Sequence, residues 1–146
     1  MKMSTRGRYG LRVMMALAAR YGQGPVPVDT IARDQDLSGQ YIHILFMGLR
    51  SAGLVRSVRG PSGGYELARD PTSITVLDVV SALEGRITPV ECVADSGSCP
   101  RAGRCVARDV WCAVAAAIDG VLAGLTLGQL AARQRSRDDE PPNYCI

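Results

Sequence analysis

The sequence is poor in aromatic side chains. One phenylalanine and one tryptophan stand among 146 residues, so a core must be built mainly from aliphatic groups. The hydrophobic fraction, 47%, is enough for that without disulfides. Histidine is equally scarce, with His43 the only one. No paired acid and base, phosphate-binding loop or nucleophile beside a histidine is visible, and His43 lies far in sequence from the clustered thiols. An enzyme is therefore not expected. Met1 to Gly10 is polar and has no apolar run of the secretory kind. The most apolar stretch, Cys112 to Leu130, contains Asp119 and is amphipathic, which argues against a membrane span. The expected setting is cytoplasmic, with no membrane partner. There, clustered cysteines point to metal or redox chemistry rather than disulfides.

The net charge of +3 is unevenly spread. Residues 1–70 hold ten Lys and Arg against five Asp and Glu, and residues 71–146 hold seven against nine. The first half suits a polyanion, although a solvated basic surface has the same signature.

Between Arg6 and Tyr21, Leu11, Met14, Met15, Leu17, Ala18 and Tyr21 fall at helical spacing, and the run from Gly22 to Pro25 ends that helix. Asp29 to Gln35 suits a short second helix. Ser38 is a good N-cap for a third, with Leu37 and Ile42 as its hydrophobic staple and Gly53 at its stop. Ile42, Leu45, Phe46 and Leu49 form its inner face; Gln40, Tyr41 and His43 are left for solvent. Leu54 to Val58 and Tyr65 to Ala68 alternate around a Gly/Pro/Ser turn with Arg59 at its tip, which predicts a hairpin.

This order predicts a mainly α fold with a small β-hairpin wing: a winged helix-turn-helix over residues 1–74. A connecting helix over 75–90 follows. Thr75 and Asp78 are spaced as its capping box, Ile74 and Val79 as its staple, and Gly85 closes it. A cysteine-rich loop occupies 91–105. Over 106–134 a long helix, marked by Val110, Trp111, Val114, Ile118, Val121, Leu122 and Leu125, leads into a short last helix. Its apolar residues exceed what one small globule covers, which predicts a long C-terminal dimerisation helix and a homodimer. Residues 135–146, charged and Pro-containing, are expected as a flexible tail.

Two regions carry chemistry. An anchored helix with polar groups at its N-terminal end can enter the major groove of double-stranded DNA. Ser38, Gln40, Tyr41 and His43 are the expected DNA contacts there. Arg59 at the hairpin tip suits a narrow minor groove, and Arg6, Arg8, Arg50 and Arg56 suit phosphates. The second region is "ECVADSGSCPRAGRC", in which Cys92, Cys99 and Cys105 are spaced C-x6-C-x5-C. The close pairs typical of zinc are missing. Iron–sulphur clusters tolerate wider spacing, because the inorganic core spans the gap. A structural staple, a metal site and three unrelated thiols all stay open on spacing alone.

"TRGRYGLRVMMALA", "SGQYIHILFMGLRSAGLVRSVRGPSGGY", "SITVLDVVSAL" and "TLGQLAARQ", with three cysteines between the last two, resemble the Rrf-two family of bacterial transcription regulators over residues 3 to 134. The resemblance implies a dimeric winged-helix regulator, a repressor in the nitric-oxide-sensing members. It also implies an iron–sulphur cluster on Cys92, Cys99 and Cys105, with 2Fe–2S preferred over 4Fe–4S. Such a cluster would sense cluster status, redox state or nitric oxide. The fourth ligand departs from the family. A histidine three residues after the third cysteine is replaced by Arg108, which stays protonated. An acidic residue in the N-terminal helix is replaced by Arg8. Asp109 is the first substitute and Cys112 the next, with Glu91 and Asp95 as alternatives in the loop. Cys145, in the tail, is expected to be incidental. His43 stands where relatives have glutamate, so their operator sequence does not carry over. The family also includes a cluster-free member controlled by a protein partner. The alternative is therefore a cluster-free regulator answering to zinc, thiol oxidation or such a partner.

Overall fold

The computed structural model describes residues 3–140. Helix α1 spans Thr5–Ala19, with Ser4 as its N-cap. Its first turn is also held from outside, since Glu84 accepts from the Gly7 amide at 2.8 Å and from the Ser4 hydroxyl. The contact brings α1 so close to the helix that carries Glu84 that a Cβ at Gly10 would run into Leu83. Helix α2 spans Val28–Gln35, one residue longer at its start than the sequence reading, and Asp36 in the left-handed region (φ 53°) turns the chain into α3.

Helix α3 spans Gly39–Ser51, and Ser38 caps it by accepting from the Tyr41 amide at 3.2 Å. Ile42, Leu45, Phe46 and Leu49 are fully buried, as the spacing predicts. Burial of such side chains contributes about 1.5–3 kcal/mol each. Strands β1 (Val55–Val58) and β2 (Gly64–Leu67) pair antiparallel, with Arg56 opposite Glu66 and Ser57 opposite Tyr65. Val26 and Tyr65 exchange both backbone hydrogen bonds, at 2.8 and 2.9 Å, which pins the wing to the segment before α2. Gly64 allows this approach: a Cβ there would strike the Val26 carbonyl.

A 3₁₀ turn at Pro71–Ser73 leads into α4, Val76–Glu84, which has the expected Thr75–Asp78 capping box. The cysteine segment follows. It consists of α5 (Glu91–Ala94) and two 3₁₀ turns, Ser96–Ser98 and Ala102–Arg104. Helix α6 spans Val106–Ala123 and α7 spans Leu127–Asp139.

Helix α7 departs from the sequence reading in two ways. It continues through Asp139, where a loose tail was expected from residue 135. A Thr126–Gln129 capping box starts it, and Gln134 and Asp138 bond one turn apart at 2.9 Å; the first proline comes only at Pro141. It also returns to the winged-helix core, whereas the sequence reading counts it among the dimerisation helices over 106–134. Leu127 and Ala131 are buried in the same cluster as Met14, Phe46 and Val79. Backbone bonds from Val76 to Leu125 and from Leu127 to Ile74, both 2.9 Å, lace it to the start of α4. No helix among the described residues is long and apolar enough to cross a membrane.

Candidate nucleic-acid interface and cysteine segment

Ser38, Gln40 and His43 lie exposed along the N-terminal half of α3, and Arg59 is exposed at the hairpin tip. Tyr41 corrects the expectation of a solvent-facing side chain. It is half-buried, its ring meets Tyr9 of α1 edge-on (6.1 Å, 87°), and its hydroxyl is buried without a hydrogen-bond partner among the described residues. Helical geometry explains this: Tyr41 sits four residues before Leu45 and shares its inward stripe. Of the arginines offered to phosphate, Arg56 is paired with Glu66 at 2.8 Å across the hairpin. Arg8 lies over the Tyr9 ring at 5.5 Å.

The sequence reading missed Tyr65. Its hydroxyl lies 3.2 Å from Nδ1 of His43, and its ring stacks on Phe46 at 4.2 Å. The wing and α3 are thus tied through one side chain. The contact joins residues 22 apart, beyond the reach of local spacing. The only available signal was the alternation of strand β2, which places Tyr65 and Leu67 on one face.

Cys92 lies in α5, Cys99 follows the Ser96–Ser98 turn, and Cys105 precedes α6. These three and Cys112 are half-buried free thiols. Among the described residues no group of three or more His, Cys, Asp or Glu is placed to hold a metal ion. The three thiols share a segment but do not make a preformed site with one another or with Glu91, Asp95 or Asp109. Asp109 is exposed. Arg108 has a structural role that sequence reasoning did not give it. Its Nε donates to the Cys92 carbonyl at 2.9 Å and fastens α5 to the first turn of α6. Cys145 lies outside the described residues.

The chain matches the Rrf2 family model, described as an iron-dependent transcriptional regulator, over residues 3–133. It is 42% identical over 131 residues to the HTH-type transcriptional regulator CymR of Bacillus subtilis (strain 168), covering 90% of each chain. The solved structure of CymR, described as the global cysteine regulator of B. subtilis, superposes with a TM-score of 0.76 at 41% identity, covering 91% of this chain and 98% of that one. The HTH-type transcriptional regulator IscR of Klebsiella pneumoniae (strain 342) is 36% identical over 138 residues, covering 94% of this chain and 84% of that one. The structure of T. potens IscR gives a TM-score of 0.76 at 37% identity, covering 99% and 95%. A helical core with a two-stranded hairpin, a capped third helix with polar groups outward, and relatives that are regulators rather than enzymes lead to one assignment: the chain belongs to the Rrf2 family of DNA-binding transcription regulators.

Proposed function

We propose that the protein is a homodimeric, operator-binding regulator whose grip on double-stranded DNA is set by the state of its cysteine segment. α3 reads the major groove through Ser38, Gln40 and His43, Tyr41 seats α3 on α1 from behind, and Arg59 of the wing enters the minor groove. The observation that carries this reading is the exposed polar row on α3, held to the wing through Tyr65. Dimerisation through α6 is supported by its exposed apolar residues Val106, Val110, Trp111 and Val121. Gel shifts at physiological salt on a native promoter fragment test the DNA half. Arg59→Ala weakens binding by about 1–3 kcal/mol, the worth of one good contact; unchanged affinity removes Arg59 from the interface.

The cysteine segment lies between α4, which packs on the DNA-reading core, and α6. A change in its fold alters how α6 leaves that core, and with it the spacing of two recognition helices. An iron–sulphur cluster, 2Fe–2S in preference to 4Fe–4S, is the group proposed for Cys92, Cys99 and Cys105. The thiolate donor set and the iron-dependent character of the family support it. The donor chemistry fits; the arrangement does not, because the described thiols form no metal-holding group. Uptake would require the segment to refold around the cluster. An anaerobic absorbance spectrum with iron and sulphide counts is the test: Cys→Ala at any of the three abolishes the visible bands. Stoichiometric zinc without sulphide would end the cluster reading.

The unassembled thiols favour a second reading, a cluster-free regulator answering to zinc, thiol oxidation or a protein partner. The 42% identity to a cysteine regulator supports it. Colourless, iron-free protein that still selects an operator would establish it.

A further inference from the structure

Exposed side chains on a reading helix are ordinarily free to choose their orientation when DNA arrives. His43 is not free. Its Nδ1 sits 3.2 Å from the Tyr65 hydroxyl, and the two rings meet edge-on at 5.9 Å and 64°. Tyr65 is itself held twice. Its backbone is bridged to Val26, and its ring stacks on Phe46 with centroids 4.2 Å apart and planes at 29°. Phe46 is fully buried and lies three residues beyond His43 on the same helix. The rings of Phe46, Tyr65 and His43 form a ladder from the core to the outer face of α3. The wing supplies its middle rung.

Neutral imidazole has one donor nitrogen and one acceptor nitrogen, and the partner of one decides the role of the other. When the Tyr65 hydroxyl donates to Nδ1, the proton of the ring resides on Nε2. When the ring is protonated, Nδ1–H donates to the Tyr65 oxygen and Nε2 still carries a proton. In both states the outer nitrogen is a donor; only the neutral ring with its proton on Nδ1, donating to the Tyr65 oxygen, would leave Nε2 an acceptor. Base edges in the major groove that accept from such a donor are purine N7, guanine O6 and thymine O4, whereas the cytosine and adenine amino groups do not.

We propose that Tyr65 is a positioning residue for sequence reading, fixing the orientation of His43 and, by donating to Nδ1, its tautomer, so that Nε2–H addresses a base acceptor in the major groove. The inference rests on α3 being the reading helix, as proposed above. It adds a specificity determinant on the wing that need not touch DNA.

The test uses the full-length chain and duplexes that the wild-type protein enriches from a randomised pool. Tyr65→Phe keeps the ring stack and the Val26 bridge and deletes only the hydroxyl. Expected is a loss of about fivefold on the enriched duplex, the effect of one ordinary hydrogen bond, with a flattened preference at one base pair and unchanged binding to random duplex. In a His43→Ala background the same substitution costs nothing further. His43 is the only histidine, so its ring nitrogens give unambiguous NMR signals. Nε2 carries the proton in wild type, and Tyr65→Phe shifts the tautomer balance. A Tyr65→Phe loss that persists undiminished without His43, or a neutral wild-type ring protonated on Nδ1, overturns the proposal. So does a His43→Ala defect equal on enriched and random duplexes, which marks a phosphate contact. A wild-type protein that enriches no sequence overturns the DNA reading itself, and this inference with it.

Discussion

The chain has one phenylalanine and one tryptophan, and they lie in opposite surroundings. Phe46 is 0% exposed, at the centre of a cluster joining α1, α3, α4, α7 and the hairpin. Trp111 is 41% exposed on α6, a helix in which only Ala115 is buried. In the winged-helix region each amphipathic element covers its neighbour, so the apolar stripe of α3 and the short face of α7 close the same core. In the stretch from α5 to α6 the backbone is hydrogen-bonded but the apolar side chains are largely uncovered. The first region derives its shape from its own packing. The second leaves apolar side chains such as Val110, Trp111 and Val121 uncovered, which is what the proposed sensing role would use.

The sharpest way to break this contrast is to remove its centre. Phe46→Ala destabilises the protein by about 3–5 kcal/mol, the usual cost of emptying a buried aromatic site. Cys99→Ala, in the cysteine segment, leaves the melting transition of the metal-free protein within about 0.5 kcal/mol of wild type. Calorimetry or chemical denaturation checks both, and equal losses would mean that the segment belongs to the core.

The second contrast concerns α6. Val110→Asp with Val121→Asp has little effect on an isolated monomer, because both side chains are already exposed, at 57% and 63%. If a second copy covers that face, the same pair places unpaired carboxylates in an apolar interface. Dimer affinity then falls by about a hundredfold or more, roughly 3 kcal/mol. Sedimentation across micromolar concentrations reads the difference. A wild type that is monomeric throughout removes the dimer.

The local parts of the fold were legible because their determinants are local. Ser38, the Thr75–Asp78 box and the four-residue inner face of α3 each announce themselves within one or two turns, and each stands where the spacing puts it. Tyr41 departs from the expected solvent face because its ring takes the stripe position four residues before Leu45, and its one polar group does not outweigh that. The return of α7 to the core is a long-range fact, carried by Leu127, Ala131 and two backbone bonds to the start of α4, and no local period encodes it. The candidate site divides in the same way. Gln40, His43 and Arg59 could be named from helix and hairpin signals. The partnership of His43 with Tyr65 and that of Arg108 with Cys92 join residues 22 and 16 apart and required the fold.

A smaller effect is expected at Arg108. Its hydrogen bond to the Cys92 carbonyl is the side-chain tie between α5 and α6. Arg108→Ala removes about 1 kcal/mol of local stability. Hydrogen exchange of the amides in 91–105 then quickens about fivefold, while the α1 and α3 amides keep their protection. Slower exchange in both regions, or faster exchange in both, would contradict the independence of the two.

The smallest effect makes the closest comparison, because the same local device occurs in both regions. Asp70 accepts from the Thr72 hydroxyl at 2.5 Å and the Thr72 amide at 2.8 Å. Asp95 accepts from the Gly97 amide at 2.9 Å in a turn of the same kind. The surroundings differ. Thr72 lies against α7, where a Cβ at Gly128 would come within 2.9 Å of its methyl group, so the Asp70 turn bears on the core. The Asp95 turn, exposed like the Asp70 turn, lies on the cysteine segment instead. The Thr72 hydroxyl, and then the Thr72 amide, hold the Asp70 carboxyl below its ordinary pKa. The folded state therefore binds that proton less tightly than the unfolded chain. The resulting stability is complete above the ordinary carboxylate range and is lost as pH falls through the lowered value. Asp70→Asn should consequently melt slightly below wild type at neutral pH, with the gap closing on acidification. Asp95→Asn should leave the core transition unchanged at every pH. Melting midpoints from about pH 3 to pH 7 decide the matter. A gap for Asp70→Asn that widens in acid would reverse the sign of the linkage. An equal depression by Asp95→Asn would mean that the cysteine segment and the winged-helix core melt as one unit.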